Sequence, residues 1–109
     1  MTDSESWRDL TFVLTTEENY KKAVSLANQI LKKKLVACVS FHQIQSCFWW
    51  EGKIKQSEEI QIVMKTKYSN LQATLDMIKI LHSYQIPEVI SFPAFADKSY
   101  GKWIDDCTR

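Results

Sequence analysis

The side chains able to do chemistry are few and widely spaced along the chain. Cys38 and His42 stand four apart in "CVSFH". If that stretch is extended they share a face, but at about 3.3 Å per residue they lie roughly 13 Å apart. That is too far for both to hold one metal at bonds of about 2.0–2.3 Å, so each would need donors from elsewhere. His82 follows the apolar run "MIKIL". At a helix end its imidazole either satisfies backbone and the negative end of the helix dipole, or, when neutral, ligates a divalent ion. Glu59, Lys65 and Glu88 are charges inside strand-like runs. They read as solvated or interface salt bridges, or as a polar ligand pocket between chains. Glu59 and Lys65 as an acid–base couple is the less economical reading, because two such residues on one strand serve more simply as cross-strand partners.

The cysteines, Cys38, Cys47 and Cys107, are odd in number and include no C-x-x-C pair. Neither a disulfide framework nor a zinc knuckle is supported, and small incidental thiols are expected. The chain has no nucleophile-elbow glycine pattern, no phosphate-cradling loop, and no histidine beside a serine or cysteine in an activating context. No enzyme is expected.

The elements that must position these groups follow from periodicity. Residues 9–14, "DLTFVL", form a short first strand. Thr15 and Glu18 have capping-box spacing, and Tyr20, Ala23, Val24, Ala27, Ile30 and Leu31 then mark an amphipathic helix to about residue 34. Its lysine run sits where the helix dipole is negative and needs no nucleic acid to explain it. "LVACVSFHQIQSCFWW" and the stretch after Gly52, with Ile60, Ile62 and Met64 on one face, are strands two and three. Glu51-Gly52 makes the turn between them. Ser69 and Gln72 cap a second helix whose stripe runs Leu71, Leu75, Ile78, His82. "EVISFP" is strand four, closed by Pro93, and Tyr100, Trp103 and Ile104 suggest a short last helix. This order is an α+β, ferredoxin-like βαββαβ sandwich with a long central hairpin and a short C-terminal helix. Residues 1–8 read as a flexible start and 9–109 as a single domain.

Fourteen Lys+Arg against thirteen Asp+Glu leave a net charge of +1, so no broad field draws nucleic acid or an anionic membrane. No run approaches the roughly 20 apolar residues of a membrane span, and "MTDSESW" lacks the pattern of a secretory signal. A cytosolic, cytoplasmic location is the expectation. Strands two and three are each candidates for about a dozen residues, twice the usual 5–6, and must overhang what two short helices can cover. The sheet face carrying Glu59, Gln61, Val63 and Lys65 would also be bare. Assembly with other copies would cover both, with Phe48, Trp49 and Trp50 as anchors; an aromatic cluster within one chain is the alternative.

Several stretches together resemble the CutA divalent-cation-tolerance family, whose members are tight trimers of the PII-like group. They are "LVACVS" (35–40), Ser46, Trp50, Glu51, Gly52 and Lys53 of "SCFWWEGK", Glu59, Lys65-Thr66, "HSYQIPEVI" (82–90), Tyr100 and Trp103. The resemblance spans most of the chain. It implies a homotrimer and keeps His82 and Tyr84 in their motif, so Glu59, Lys65, Tyr84 and Glu88 become the candidate ligand-binding set. It also implies divalent-ion or copper binding, with His82 and Cys38 the candidate metal residues. The chain departs from the family at three points. "SFHQIQS" lacks the glycine that many members place in a bulge, "HSY" stands for histidine-proline-tyrosine, and Thr15 and Leu81-His82 stand where bacterial members place a copper-ligating cysteine and two adjacent histidines. With two of three ligands replaced, only weak copper or other divalent-ion binding is expected. His82 would dominate it, and affinity would fall as pH drops through about 6.5. Three roles remain: a trimeric metal-responsive or signalling-type protein, a structural protein that anchors or matures a client protein, and an enzyme with an intersubunit site for an unknown small molecule.

Overall fold

The computed structural model describes residues 6–109. Its elements are β1 (Ser6–Glu17), α1 (Tyr20–Lys32), β2 (Cys38–Trp50), β3 (Lys53–Lys67), α2 (Leu71–Leu81), β4 (Val89–Asp97) and α3 (Lys98–Cys107), with a 3-10 turn, Tyr68–Asn70, leading into α2. The strands form one antiparallel sheet in the order β2-β3-β1-β4. That is the ferredoxin-like arrangement the element order implies.

Alternation divides the sheet into two faces, because paired residues in an antiparallel ladder point the same way. Val13, Ile62 and Met64 point to one face and are packed with Leu26 and Ile30 of α1 and Ile78 of α2 into the main core. Leu10 and Ala96 join Ile104 of α3 in a second, smaller core. The expectation of a bare second face is therefore corrected at one end. There α3 lies so close that a Cβ on Gly101 would meet the Trp7 side chain at 2.2 Å. Beyond α3, Phe92 and Ile90 remain exposed on that face, Phe92 stacking on Phe12 at 5.0 Å.

Several boundaries move for physical reasons. β1 begins at Ser6, inside the stretch read as a flexible start, because Ser6 and Trp7 pair with Asp97 and Ala96 of β4; residues 1–5 lie outside the described residues. It also runs on through Thr15, Thr16 and Glu17, which pair with Ile62, Gln61 and Ile60. Thr15 is thus committed to a ladder and cannot cap α1. Asn19 does so instead, its side-chain oxygen accepting from the Lys22 amide at 2.9 Å. α1 closes two residues earlier than expected, with Lys34 left-handed at φ 57 and the Lys34 and Leu35 amides bonded to the Leu31 and Ile30 carbonyls. This is a Schellman ending with lysine at a position glycine usually takes. The Ser69 cap is likewise absent: the residue before α2 is Asn70, which makes no side-chain cap. β4 passes through Pro93, since an edge strand can spare an outward N–H.

The hairpin turns at Glu51-Gly52, both at positive φ (51° and 78°), which suits the right-handed twist of its strands. Its register runs unbroken from Cys38↔Lys65 to Trp50↔Lys53, so no bulge replaces the family's glycine. β1 reaches only to Ile60 of β3, leaving the pairs from Ile44↔Glu59 to Trp50↔Lys53 as a two-stranded ribbon. That ribbon helps stretch the molecule to 49 Å along its longest axis.

Candidate functional site

Two of the predicted site residues meet where the ribbon leaves the sheet. Glu59 is only 6% exposed, and its Oε2 accepts the Tyr84 hydroxyl at 2.8 Å. Burial, and the hydrogen bond to the Glu59 carboxylate, push the Tyr84 phenol well above its ordinary range. Tyr84 therefore stays a neutral donor at any working pH. A cleft of about 810 Å³ opens beside the pair, lined by Thr16, by Phe48, Trp49, Trp50 and Lys55 of the ribbon, and by Ile86 and Glu88 of the connection after α2. Glu88 thus faces the same cleft as Glu59 and Tyr84. Lys65 does not: its ammonium lies 5.7 Å from the centre of the Tyr100 ring, against α3. Its register partners across the neighbouring strands are Phe12 and Cys38, and that of Glu59 is Ile44, so neither charge meets an opposite charge across a rung. The aromatic cluster within one chain is not formed either, for among the described residues none of Phe48, Trp49 and Trp50 stacks on another ring.

His82 is the residue just after α2 and is extended, so its ring leaves the helical stripe. The ring is fully buried, its Nε2 against the Thr16 carbonyl and its Nδ1 3.0 Å from the Tyr84 amide. A carbonyl can only accept, so Nε2 carries the proton, and Nδ1 accepts from the amide. Both nitrogens are engaged, and a metal on either would displace a buried hydrogen bond. Cys38 lies at the Lys65 rung of the ladder, and Thr16, which His82 touches, at the Gln61 rung. Four residues of strand, about 13 Å, separate the two rungs. Thr15 has a buried hydroxyl with no hydrogen-bond partner, on the core face of β1. Among the described residues no three His, Cys, Asp or Glu side chains are grouped to hold a metal ion. The described donors of a single chain therefore do not converge into a divalent-ion centre.

Sequence reasoning missed Glu17 and Ser83. Glu17 is buried and accepts from the Ser83 hydroxyl, from the Ser83 amide at 3.1 Å and from the Glu18 amide at 2.9 Å. Burial pushes its carboxyl up, but the Ser83 hydroxyl and the two amides outweigh burial and hold it below its ordinary value of 4.5. In "TTEEN" the glutamate reads as the first turn of a helix, and nothing local signals burial. A carboxyl with a lowered folded value stabilises the fold fully above its unfolded value and loses that contribution as pH falls through the lowered one. Glu17→Gln should therefore weaken the protein at neutral pH, by about 1.5–3 kcal/mol for a hydrogen-bonded charge. Its melting temperature should also fall less steeply on acidification than the parent's. Equal acid slopes in the two proteins would show that Glu17 is not the titrating group.

Comparison with known proteins agrees with this architecture. Residues 11–107 match the family model described as CutA1 divalent ion tolerance protein. The divalent-cation tolerance protein CutA of Archaeoglobus fulgidus is 35% identical over 96 residues, covering 87% of this chain and 94% of its own length. The chloroplastic Protein CutA 1 of Oryza sativa subsp. japonica is 36% identical over 99 residues, 89% of this chain and 56% of the rice protein. Among solved structures, CutA from Synechococcus elongatus superposes with a TM-score of 0.91 at 30% identity, over 97% of both chains. The Archaeoglobus structure, described as a periplasmic divalent cation tolerance protein, gives 0.89 at 34% identity over 92% of this chain and 99% of its own. The cytoplasmic expectation is overturned by these relatives, one described as periplasmic and one as chloroplastic, since membership fixes no compartment. On a match that runs from the second residue pair of the central ladder to the end of the last helix, this chain belongs to the CutA1 divalent-ion tolerance family.

Proposed function

We propose that the protein acts in divalent-ion tolerance as a non-enzymatic homotrimer whose chains cover one another's ribbons and open sheet faces. One observation carries this reading. At the ribbon's tip Trp49 and Ile54 face each other across the ladder, 72% and 65% exposed, an apolar pair that none of the described residues covers. Burying such a pair stabilises by about 25 cal/mol for every square ångström of apolar surface removed from water, and two strands alone are marginal without that cover. The exposed Phe92 and Ile90 of edge strand β4 present a second apolar area of the same need. Support for a non-enzymatic role comes from His82 and Glu17, two buried titratable groups whose hydrogen bonds are spent on backbone and Ser83 rather than turned to a substrate. Any divalent ion is held weakly, or by donors that converge only between chains. Light scattering on a sizing column should give three times the chain mass of 12.8 kDa. A well-folded monomer at micromolar concentration would end this reading.

A further inference from the structure

We infer that His82, the histidine the family resemblance offers to a divalent ion, is a structural clasp that holds no ion, so that ion tolerance in this chain runs without metal at the 82–84 motif. The chain has two histidines; His42 is exposed on edge strand β2, whereas the His82 ring is wholly buried. A ligating imidazole commonly spends its N–H on a carbonyl and turns the other nitrogen to the metal. The bond from Nε2 to the Thr16 carbonyl would suit such a ring. Nδ1 closes that option, because its one in-plane lone pair takes the Tyr84 amide at 3.0 Å. An ion there would strip the amide of its acceptor, and an unmade hydrogen bond costs more than a made one gains.

No second donor stands ready to share such an ion. Glu17 Oε2 lies 3.7 Å from Nδ1, and its carboxylate is already taken by the Ser83 hydroxyl and by the Ser83 and Glu18 amides. Cys38 is four residues of strand away from the rung of Thr16. The ring instead joins three elements. The His82 amide closes α2 on the Ile78 carbonyl at 2.9 Å, Nε2 reaches the end of β1, and Nδ1 fixes the Tyr84 amide. The Tyr84 ring lies 4.8 Å from the imidazole and carries its hydroxyl to Glu59 of β3. These bonds lie within one chain around a ring that is already buried there, so the clasp stands whether or not chains assemble.

The test uses the full chain with His42→Ala as the reference, which leaves His82 as the only imidazole. Into it go His82→Asn, His82→Gln and His82→Ala. Asn sets an acceptor where Nδ1 stands, Gln sets a donor near Nε2, and Ala sets neither. None of the three ligates as an imidazole does. The melting temperature should fall by about 10 °C or more with Ala and by clearly less with Asn and Gln, each of which keeps one of the two bonds. Calorimetric titration with copper(II) and with zinc(II) should not tell the four proteins apart, whether all bind weakly within about twofold of one another or none binds. An affinity that drops about tenfold or more in folded His82→Asn and His82→Gln would make His82 a ligand and overturn the proposal. So would a His82→Ala protein that melts with the reference, or Asn and Gln variants that both melt as low as Ala. Light scattering reads subunit number separately, so a monomer would refute the trimer and leave the clasp in place.

Discussion

Gly101→Ala should be among the most damaging single-atom additions the chain can suffer, lowering the melting temperature by about 10 °C or more if α3 stays docked at all. The added Cβ would sit 2.2, 2.3 and 2.4 Å from Cγ, Cβ and Cδ2 of Trp7. These atoms lie at the root of a rigid indole, so no flexible side-chain end can swing aside. Either α3 lifts or β1 shifts, and β1 is hydrogen-bonded to strands on both sides. Overpacking of this kind typically costs about 1–3 kcal/mol and more where the backbone must move. For a domain of this size each kcal/mol is worth roughly 4–8 °C. Because Ile104 and Leu10 share the same small core, lifting α3 would also expose them. The double variant Trp7→Ala, Gly101→Ala should recover part of the loss, since the clash disappears with the indole. A Gly101→Ala protein that melts with the parent would show that α3 is not held against Trp7 in solution.

Trp50→Ala should break the assembly. In a single chain Trp50 is 38% exposed, at the end of a ribbon that no third strand supports. If chains stayed separate, truncating a side chain on such an outlying ribbon would fall near the usual ±0.5 kcal/mol of surface substitutions, give or take its own partial packing. If the ring is instead an anchor buried between chains, the loss approaches about 3–5 kcal/mol, the range for aromatic truncation in a packed site. The two cases differ by several kcal/mol, which makes the measurement decisive. We expect the variant to elute as a smaller species and to melt at a temperature that depends on its concentration, as mass action requires of a weakened oligomer. An unchanged mass together with an unchanged melting temperature would remove Trp50 from the interface.

Much of this was legible in the chain itself, and the reason is locality. A strand announces itself by alternation and a turn by one glycine, so Ile60, Ile62 and Met64 on one face and Glu51-Gly52 at the tip could be placed from neighbours alone. The element order then leaves few ways to close an antiparallel sheet, and the long ribbon follows from counting residues between turn signals. What local signals could not do was choose between two uses of the same residue. Thr15 and Glu18 have the spacing of a cap, yet Thr15 pairs with Ile62, because a ladder bond on each side outweighs one side-chain cap. Pro93 reads as a strand end, and only the strand order shows β4 at an edge where a proline costs little.

The site was decided almost wholly by tertiary structure. His82 meets the Thr16 carbonyl and Ser83 meets Glu17 across 66 residues, and Tyr84 meets Glu59 across 25. Sequence supplies the donors and acceptors but not their pairing. Whether an imidazole has a free nitrogen, or a carboxylate is relieved of its charge, depends on which group the fold sets within 3 Å, and hydrogen bonds lose their strength within a fraction of an ångström beyond that. So the sequence alone determined the sheet, the ribbon and the inventory of polar groups. The packing of the 82–88 connection against the end of β1 decided that His82 and Glu17 hold the fold together, while Glu59 takes the Tyr84 hydroxyl in the wall of a cleft.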